Sequence, residues 1–245
     1  GRVIVDLRAV LSVLETEYGP VGWWPLPSRA GTEGRNANGY RNGPSLPIGR
    51  LSKDKAARFE IAAGAVLAQN TAWRGASAAV ATLARNGLLD PQAMLACPQE
   101  QLSELIAQAG TYRRKALYLK TLSANWEALD KSGTREELLA LSGIGPETAD
   151  CILCYAWAES NFVADAYARR IVSRMGFVPD SFGYEATRAW AEKALPKDPN
   201  YLAEAHALLV EHAKRSCTAK PRCDHCVVSS SCGLCNKMVT GPSLM

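Results

Sequence analysis

The chain has 245 residues, 47% of them hydrophobic but only 7% aromatic, and a formal net charge of +4. That length admits one large domain or two lobes around a real core, and abundant alanine with few aromatics favours helices. No apolar run reaches the ~18–20 residues that would span a bilayer, and no charged-then-apolar leader opens the sequence, so a soluble, cytoplasmic protein that makes no membrane contact is expected.

Residues 3–14 read as a first helix, followed by the Trp23-Trp24-Pro25 stretch and a Gly/Asn/Arg-rich passage to Gly49 that reads as loop. Trp23 and Trp24 offer stacking faces, although paired tryptophans before a proline more often pin a loop to a core. A helix from Ser52 carries Phe59, Ile61, Val66 and Leu67 and ends at Gln69-Asn70-Thr71. Gly87, Asp90-Pro91 and Pro98 punctuate shorter helices, the third running through Leu102, Leu105, Ile106 and Ala109 to Gly110. Thr111 and Tyr112 enter a long helix bearing Leu119, Leu122, Trp126 and Leu129. Beyond it, residues 166–175, 184–195 and 201–215 read as helices, the last with Asn200 as its N-cap. Sustained period-two alternation is nowhere present, so an all-α architecture is expected.

Residues 134–157 form the most informative stretch. Thr134 and Glu137 have the spacing of a capping box, and a Gly143-Ile144-Gly145 turn leads into Pro146 at the first position of a new helix. Backbone N–H groups of Gly143, Ile144 and Gly145 and of the following helix can converge on an anion such as a DNA phosphate. Arg113-Arg114-Lys115, Arg169-Arg170 with Arg174, and Lys214-Arg215 with Lys220 and Arg222 are basic groupings that suit DNA or a solvated helix face. Asp165, before the helix at Ala166, has the form of an N-cap. Five of the eight cysteines fall within residues 217–235, an asymmetry that reads as a metal cluster in a reducing compartment. By chemistry alone the thiolates suit zinc or an iron–sulfur group.

A Leu-x-Gly-x-Gly-x-x-Thr-Ala hairpin at residues 141–149, a Val-x-Asp segment ending at Asp165, and clustered cysteines, in that order, resemble the endonuclease III superfamily of helix-hairpin-helix DNA glycosylases. The resemblance covers about residues 51–232. It implies two helical lobes, residues 51–163 with the hairpin and residues 1–50 plus 164–245 with a cysteine loop, and a monomer that binds double-stranded DNA containing a damaged base. It implies that Asp165 faces the lesion pocket, where a carboxylate stabilises charge on the deoxyribose or activates water. Gln69, with Asn70 beside it, matches the residue that fills the gap left by a flipped base. Thr111, or Tyr112 in its place, matches a wedge; Gly143, Ile144, Gly145, Thr148 and Arg169 fall where the DNA backbone is held. Cys217, Cys223, Cys226 and Cys232 match the ligands of a [4Fe–4S] cluster, with a first gap one residue shorter than usual and Cys235 additional. His225, inside the loop, is a less suitable ligand than these thiolates.

Glu147 is the informative departure. Members that also cleave the strand carry lysine there, whose amine forms a Schiff base with the sugar; a glutamate cannot. Glu147-Thr148-Ala149-Asp150 looks most like the 3-methyladenine DNA glycosylase branch, which implies water as nucleophile and an alkylated adenine as target. Tyr167 and Trp73 are candidates to face the base. Three rivals stand beside this reading: a glycosylase with lyase activity on oxidised pyrimidines through another lysine, Lys115 or Lys120; a protein that binds lesions without excising them; and a zinc-dependent structural protein.

Overall fold

The structure, a computed structural model, describes residues 6–32 and 34–240. The helices in chain order are α1 (Leu7–Tyr18), α2 (Lys55–Leu67), α3 (Trp73–Arg85), α4 (Pro91–Ala96), α5 (Gln99–Leu105), α6 (Tyr112–Ser132), α7 (Arg135–Leu139), α8 (Pro146–Cys151), α9 (Ala166–Met175), α10 (Tyr184–Ala194), α11 (Pro199–Arg215) and α12 (Gly233–Thr240). Among the described residues extended pairing is limited to one isolated bridge, Arg35–Arg41. No helix is long and apolar enough to cross a membrane.

Aspartate caps set five of the twelve α-helix starts among the described residues. Asp6, Asp54, Asp90, Asp165 and Asp198 each accept a bond from the backbone N–H three residues on, satisfying donors a helix leaves orphaned. Several expected boundaries move accordingly. α2 begins at Lys55 behind Asp54, and α11 begins at Pro199 behind Asp198, so Asn200 lies inside the helix and is not its cap. The helix expected from Pro98 to Ala109 is broken after α5 by a 3₁₀ turn, Ala107–Ala109. α1 runs on to Tyr18, while residues 3–5 of its expected span lie outside the described residues.

Two hydrophobic clusters divide the molecule. The first gathers α2 to α8, with Ala57, Phe59, Ile61, Val66 and Leu67 making α2 a central helix buried on every side. The second gathers α1, α9, α10, α11 and the cysteine loop around Leu14, Ile171, Val172 and Leu209. Trp24 and Leu26 belong to the first cluster, so residues 1–50 do not all join the second lobe: α1 does, and the passage after it crosses back.

That passage is held by specific bonds. Glu204 of α11 accepts the Val21 N–H at 2.8 Å on one oxygen and the Ser45 N–H at 2.7 Å on the other. Arg41 N–H reaches Gly22 O, Leu26 N–H reaches Gly39 O, and Ile48 N–H reaches Tyr155 O. Gly22 has φ +74°, and a Cβ there would run into the Arg41 carbonyl, so the crossing requires glycine.

The lobes are also joined through Asp150. Its wholly buried carboxylate accepts two bonds from Arg135 (2.8 and 3.0 Å), one from Asn161 Nδ2 (3.0 Å) and one from the Tyr184 hydroxyl of α10 (2.8 Å). Burial beside this carboxylate pushes the Tyr184 hydroxyl well above its ordinary pKa, which keeps it a donor.

Candidate functional site

The expected hairpin is present. Thr134 and Glu137 complete a reciprocal capping box on α7, and the chain turns through Gly143 at φ +86° into Pro146. A Cβ at Gly143 would fall within the Tyr118 ring, whereas one at Gly145 meets nothing within 4 Å. The Ile144 N–H donates to Leu141 O at 3.1 Å and its side chain is buried, so Ile144 does not present a free amide to an anion. α8 passes into a π-helical turn, Ile152–Ala156, closed by Trp157 N–H on Ile152 O. This turn sets the position of Tyr155.

Asp165 lies where the lobes meet. Its Oδ1 caps α9 through the Ala168 N–H at 2.7 Å, while Oδ2 faces His206 Nε2 at 3.4 Å. One carboxylate therefore performs both expected tasks, cap and pocket group. With Glu147 and Thr148 it lines a cavity of about 140 Å³ whose other walls include Trp23, Trp24, Trp73 and Tyr167. Glu147 is open to solvent at the mouth, but the protein around its carboxyl and the charge of Asp165 raise its pKa above the ordinary carboxylate value. The aromatic walls are mutually braced: Trp23 meets His206 edge to face at 5.3 Å, and Trp24 meets Trp73 at 5.4 Å and Tyr155 at 5.1 Å.

Gln69 also lines this cavity, and its amide nitrogen is bound to Gly143 O (2.8 Å) and Thr148 Oγ1 (2.9 Å), tying the end of α2 to the hairpin. Next to it Asn70 is exposed with φ +49°, and across the rim Thr111 is exposed with φ +32°. Non-glycine residues adopt that region at a cost, more so when β-branched, and such strain gathers at functional rims. Tyr112 is half-buried against the core with Arg113 stacked 5.2 Å over its ring, which leaves Thr111 the outermost residue of that loop. Lys115 bridges the two rim loops from below, donating to Leu67 O (2.7 Å) and Ala109 O (2.6 Å).

The basic groupings separate. Lys115 is buried, and Lys120 is bound to the Leu95 and Cys97 carbonyls; neither lines the cavity. Arg170 and Arg174 turn to the cysteine loop, binding Cys217 O (2.9 Å) and Thr218 O (2.6 Å) respectively. Arg169 remains near the cavity, where its charge acts on Glu147. Lys220, Arg222 and His225 are exposed on the loop. His206 and Lys214 were missed as cavity residues by sequence. With Val210 they form an i, i+4, i+8 stripe on α11, a pattern that a core-facing helix shares.

Cys217, Cys223, Cys226 and Cys232 line one small cavity, together with Cys235 and His212, against Ile171, Met175 and Val228. Cys235 Sγ contacts Cys223 Sγ at 2.8 Å, Arg174 Nη1 lies 3.4 Å from Cys217 Sγ, and His212 Nε2 lies 3.7 Å from Cys226 Sγ. Burial lowers the His212 pKa to about 4, so the ring beside the thiols is neutral. Among the described residues no group of three or more His, Cys, Asp or Glu side chains is arranged to hold a metal ion. The donor chemistry itself fits an iron–sulfur group: five thiols lining one small cavity with an apolar wall, and an Arg174 N–H directed at Cys217 sulfur.

Residues 63–197 match the family of HhH-GPD superfamily base excision DNA repair proteins. The chain belongs to this superfamily. A putative DNA repair glycosylase of Methanocaldococcus jannaschii is 33% identical over 235 residues, 91% of this chain and 94% of that protein. Endonuclease III homolog 1, chloroplastic, of Arabidopsis thaliana is 31% identical over 96% of this chain and 64% of its own length. Among solved structures, the H. pylori 3-methyladenine DNA glycosylase bound to 1,N6-ethenoadenine superposes with a TM-score of 0.66 at 24% identity, covering 86% of this chain and 98% of that one. A trapped endonuclease III–DNA covalent intermediate superposes with a TM-score of 0.64 at 23% identity, over 74% and 86% of the two chains. As an HhH-GPD protein the chain is a DNA base-excision repair glycosylase, and Gln69, which lines the carboxylate pocket, ties that pocket to the hairpin through Gly143 O.

Proposed function

We propose that this glycosylase is monofunctional and hydrolyses the N-glycosidic bond of an alkylated adenine turned out of duplex DNA into the cavity at Asp165. The observation that carries the reading is a pocket combining two carboxylates, Asp165 and Glu147, with four aromatic faces, and holding glutamate where strand-cleaving relatives hold lysine. An alkylated adenine is cationic; aromatic faces attract it through cation–π contact, and the carboxylates favour its charge. Such a base is already a good leaving group, so little further activation is needed. As the bond breaks, positive charge develops on the deoxyribose beside Asp165, and the fixed carboxylate stabilises it. Water then attacks; Glu147, its pKa raised by the surrounding protein and Asp165, is suited to orient it and take up its proton. Gly143, Gly145 and Thr148 would hold the DNA backbone, with Arg169 nearby, while Thr111, Asn70 and Gln69 would occupy the space the base leaves.

The cysteine loop completes the reading. Cys217, Cys223, Cys226 and Cys232 would hold a [4Fe–4S] cluster, which fixes the loop when bound and presents Lys220 and Arg222 to phosphate. Protein isolated without oxygen is expected to be brown and to contain iron and sulfide; a colourless, fully active protein would overturn this part.

Released bases from methylated duplex DNA are to be identified by mass spectrometry for the wild type and Asp165→Asn. Methyladenine released by the first and not by the second, at equal DNA affinity, is the expected result; equal release from both would refute the role of Asp165. A second reading, a glycosylase with lyase activity on oxidised pyrimidines, is favoured by Lys214, the one lysine lining the cavity, with Nζ 5.9 Å from the Trp23 ring. Borohydride trapping on an abasic duplex that disappears in Lys214→Ala would establish it in place of the hydrolytic one.

A further inference from the structure

His206 is buried to 2% exposure between Tyr155 and Asp165, and its Nε2 has no hydrogen-bond partner at ordinary distance. The surrounding bonds constrain its protons. The Tyr155 hydroxyl lies 3.0 Å from Ala203 O and 2.7 Å from His206 Nδ1. If tyrosine donates to the carbonyl, Nδ1 must carry a proton to donate to tyrosine. Nε2 then meets the Asp165 carboxylate favourably only by carrying the second proton. If tyrosine donates to Nδ1 instead, the neutral ring carries its proton on Nε2. An N–H on Nε2 thus faces Oδ2 in the neutral ring when tyrosine donates to Nδ1, and only in the doubly protonated ring when tyrosine donates to the carbonyl.

The neighbours favour the same outcome. Glu147 and Cys151 face this region from α8, Asp165, Tyr167 and Arg169 from α9, and Tyr155 from the π turn. Lys214 and Glu204 stand on the same helix as His206, and Trp23 closes the ring from the loop. Two carboxylates at one cavity repel one another's charge, and a donor fixed behind one of them relieves that repulsion. The 3.4 Å separation is longer than a formed bond, as catalytic contacts often are before the substrate tightens them.

We infer that His206 is a positioning residue: its Nε2–H holds Asp165 Oδ2 and keeps the carboxylate aimed at the sugar during base release. Tyr155 fixes the ring, and the π turn fixes Tyr155. This rests on Asp165 being the group that acts on the sugar, and the two claims fail separately.

The contact is tested without substrate by ¹⁵N NMR of the full-length protein with labelled histidine; there are three histidines, and His206→Gln assigns the resonance. Nε2 of His206 is expected to be protonated at pH 7 and to shift in Asp165→Asn. A bare Nε2, or a resonance indifferent to Asp165→Asn, overturns the inference whatever the substrate. The role is tested by single-turnover release from methylated duplex DNA across pH 5–9. His206→Phe keeps the ring volume and removes the donor. It is expected to lose about tenfold or more at pH 7, with DNA affinity within about twofold. His206→Gln, whose amide can donate from a similar position, is expected to recover most of the rate. A His206→Phe profile superimposable on wild type overturns the role. Activity that survives Asp165→Asn refutes the catalytic reading instead, even with the NMR contact intact.

Discussion

Replacing Asp150 by Asn changes no heavy-atom shape, yet it removes a charge on which four donors converge across the lobe boundary. The new amide NH₂ must face at least one donor. Tyr184 can rotate its hydroxyl and accept, but Arg135 cannot. Breaking a buried ion pair from one side costs about 3–5 kcal/mol. Arg135 keeps Glu185 at 2.7 Å and is partly exposed, which places the expected loss near the lower bound, about 3 kcal/mol. For a protein of this size, with a urea m-value of about 3 kcal/mol/M, the midpoint should fall by about 1 M. Tyr184→Phe, which deletes one bond of the set, should cost about 1–2 kcal/mol. Urea unfolding followed by circular dichroism and tryptophan fluorescence measures both, and the two probes should separate if the lobes lose their coupling. A midpoint for Asp150→Asn within about 0.2 M of wild type would refute the account of Asp150 as the buried hub.

Gly143→Ala should cost about 2 kcal/mol or more in thermal unfolding, because it combines a left-handed backbone with overlap on Tyr118; Gly145→Ala, with open space around it, should be near neutral for folding. Lys115→Met leaves the Leu67 and Ala109 carbonyls without their charged donor and should cost about 2–3 kcal/mol, with faster hydrogen exchange in both rim loops. Glu147 has a folded-state pKa above its ordinary 4.5, so the folded state holds its proton more tightly than the unfolded chain. Its contribution is fully present below pH 4.5 and is lost as pH rises through the raised value. Glu147→Gln should therefore match wild type in melting temperature near pH 4 and exceed it at pH 7; a constant difference between them would contradict the shift.

Much of this architecture was legible because its signals are local. Thr134 and Glu137 announce a capping box, and Gly143 announces a turn that only glycine tolerates. Asp165 announces a cap whose second oxygen is free for other work. What stayed hidden depends on contacts between distant segments. Asn200 looked like the cap of α11, but Asp198 followed by Pro199 outcompetes it two residues earlier. Lys115 and Lys120 looked available as nucleophiles, and only the folded chain shows each spending its ammonium on carbonyls. Arg170 and Arg174 suited DNA or a solvated helix face alike, and the folded chain instead lays the cysteine loop against them. His206 carried no sequence signal at all: its meaning arises from Tyr155, 51 residues away, and Asp165, on another helix.

Glu204 gives this enzyme a separable wall. The passage after α1 carries Trp23 and Trp24 into the pocket and is moored by Trp24 and Leu26 in the core, by Arg29 on Asp54, and by two backbone N–H groups on this single carboxylate. Asp165 and Glu147, which line the same cavity, stand on other elements and do not depend on that passage for their caps or turns. On the proposed reading, selection for a different lesion can redraw residues around Trp23 and Trp24 while Asp165, Glu147 and the hairpin keep their places. The passage is thus part core and part wall, and α11 is the element on which both uses meet.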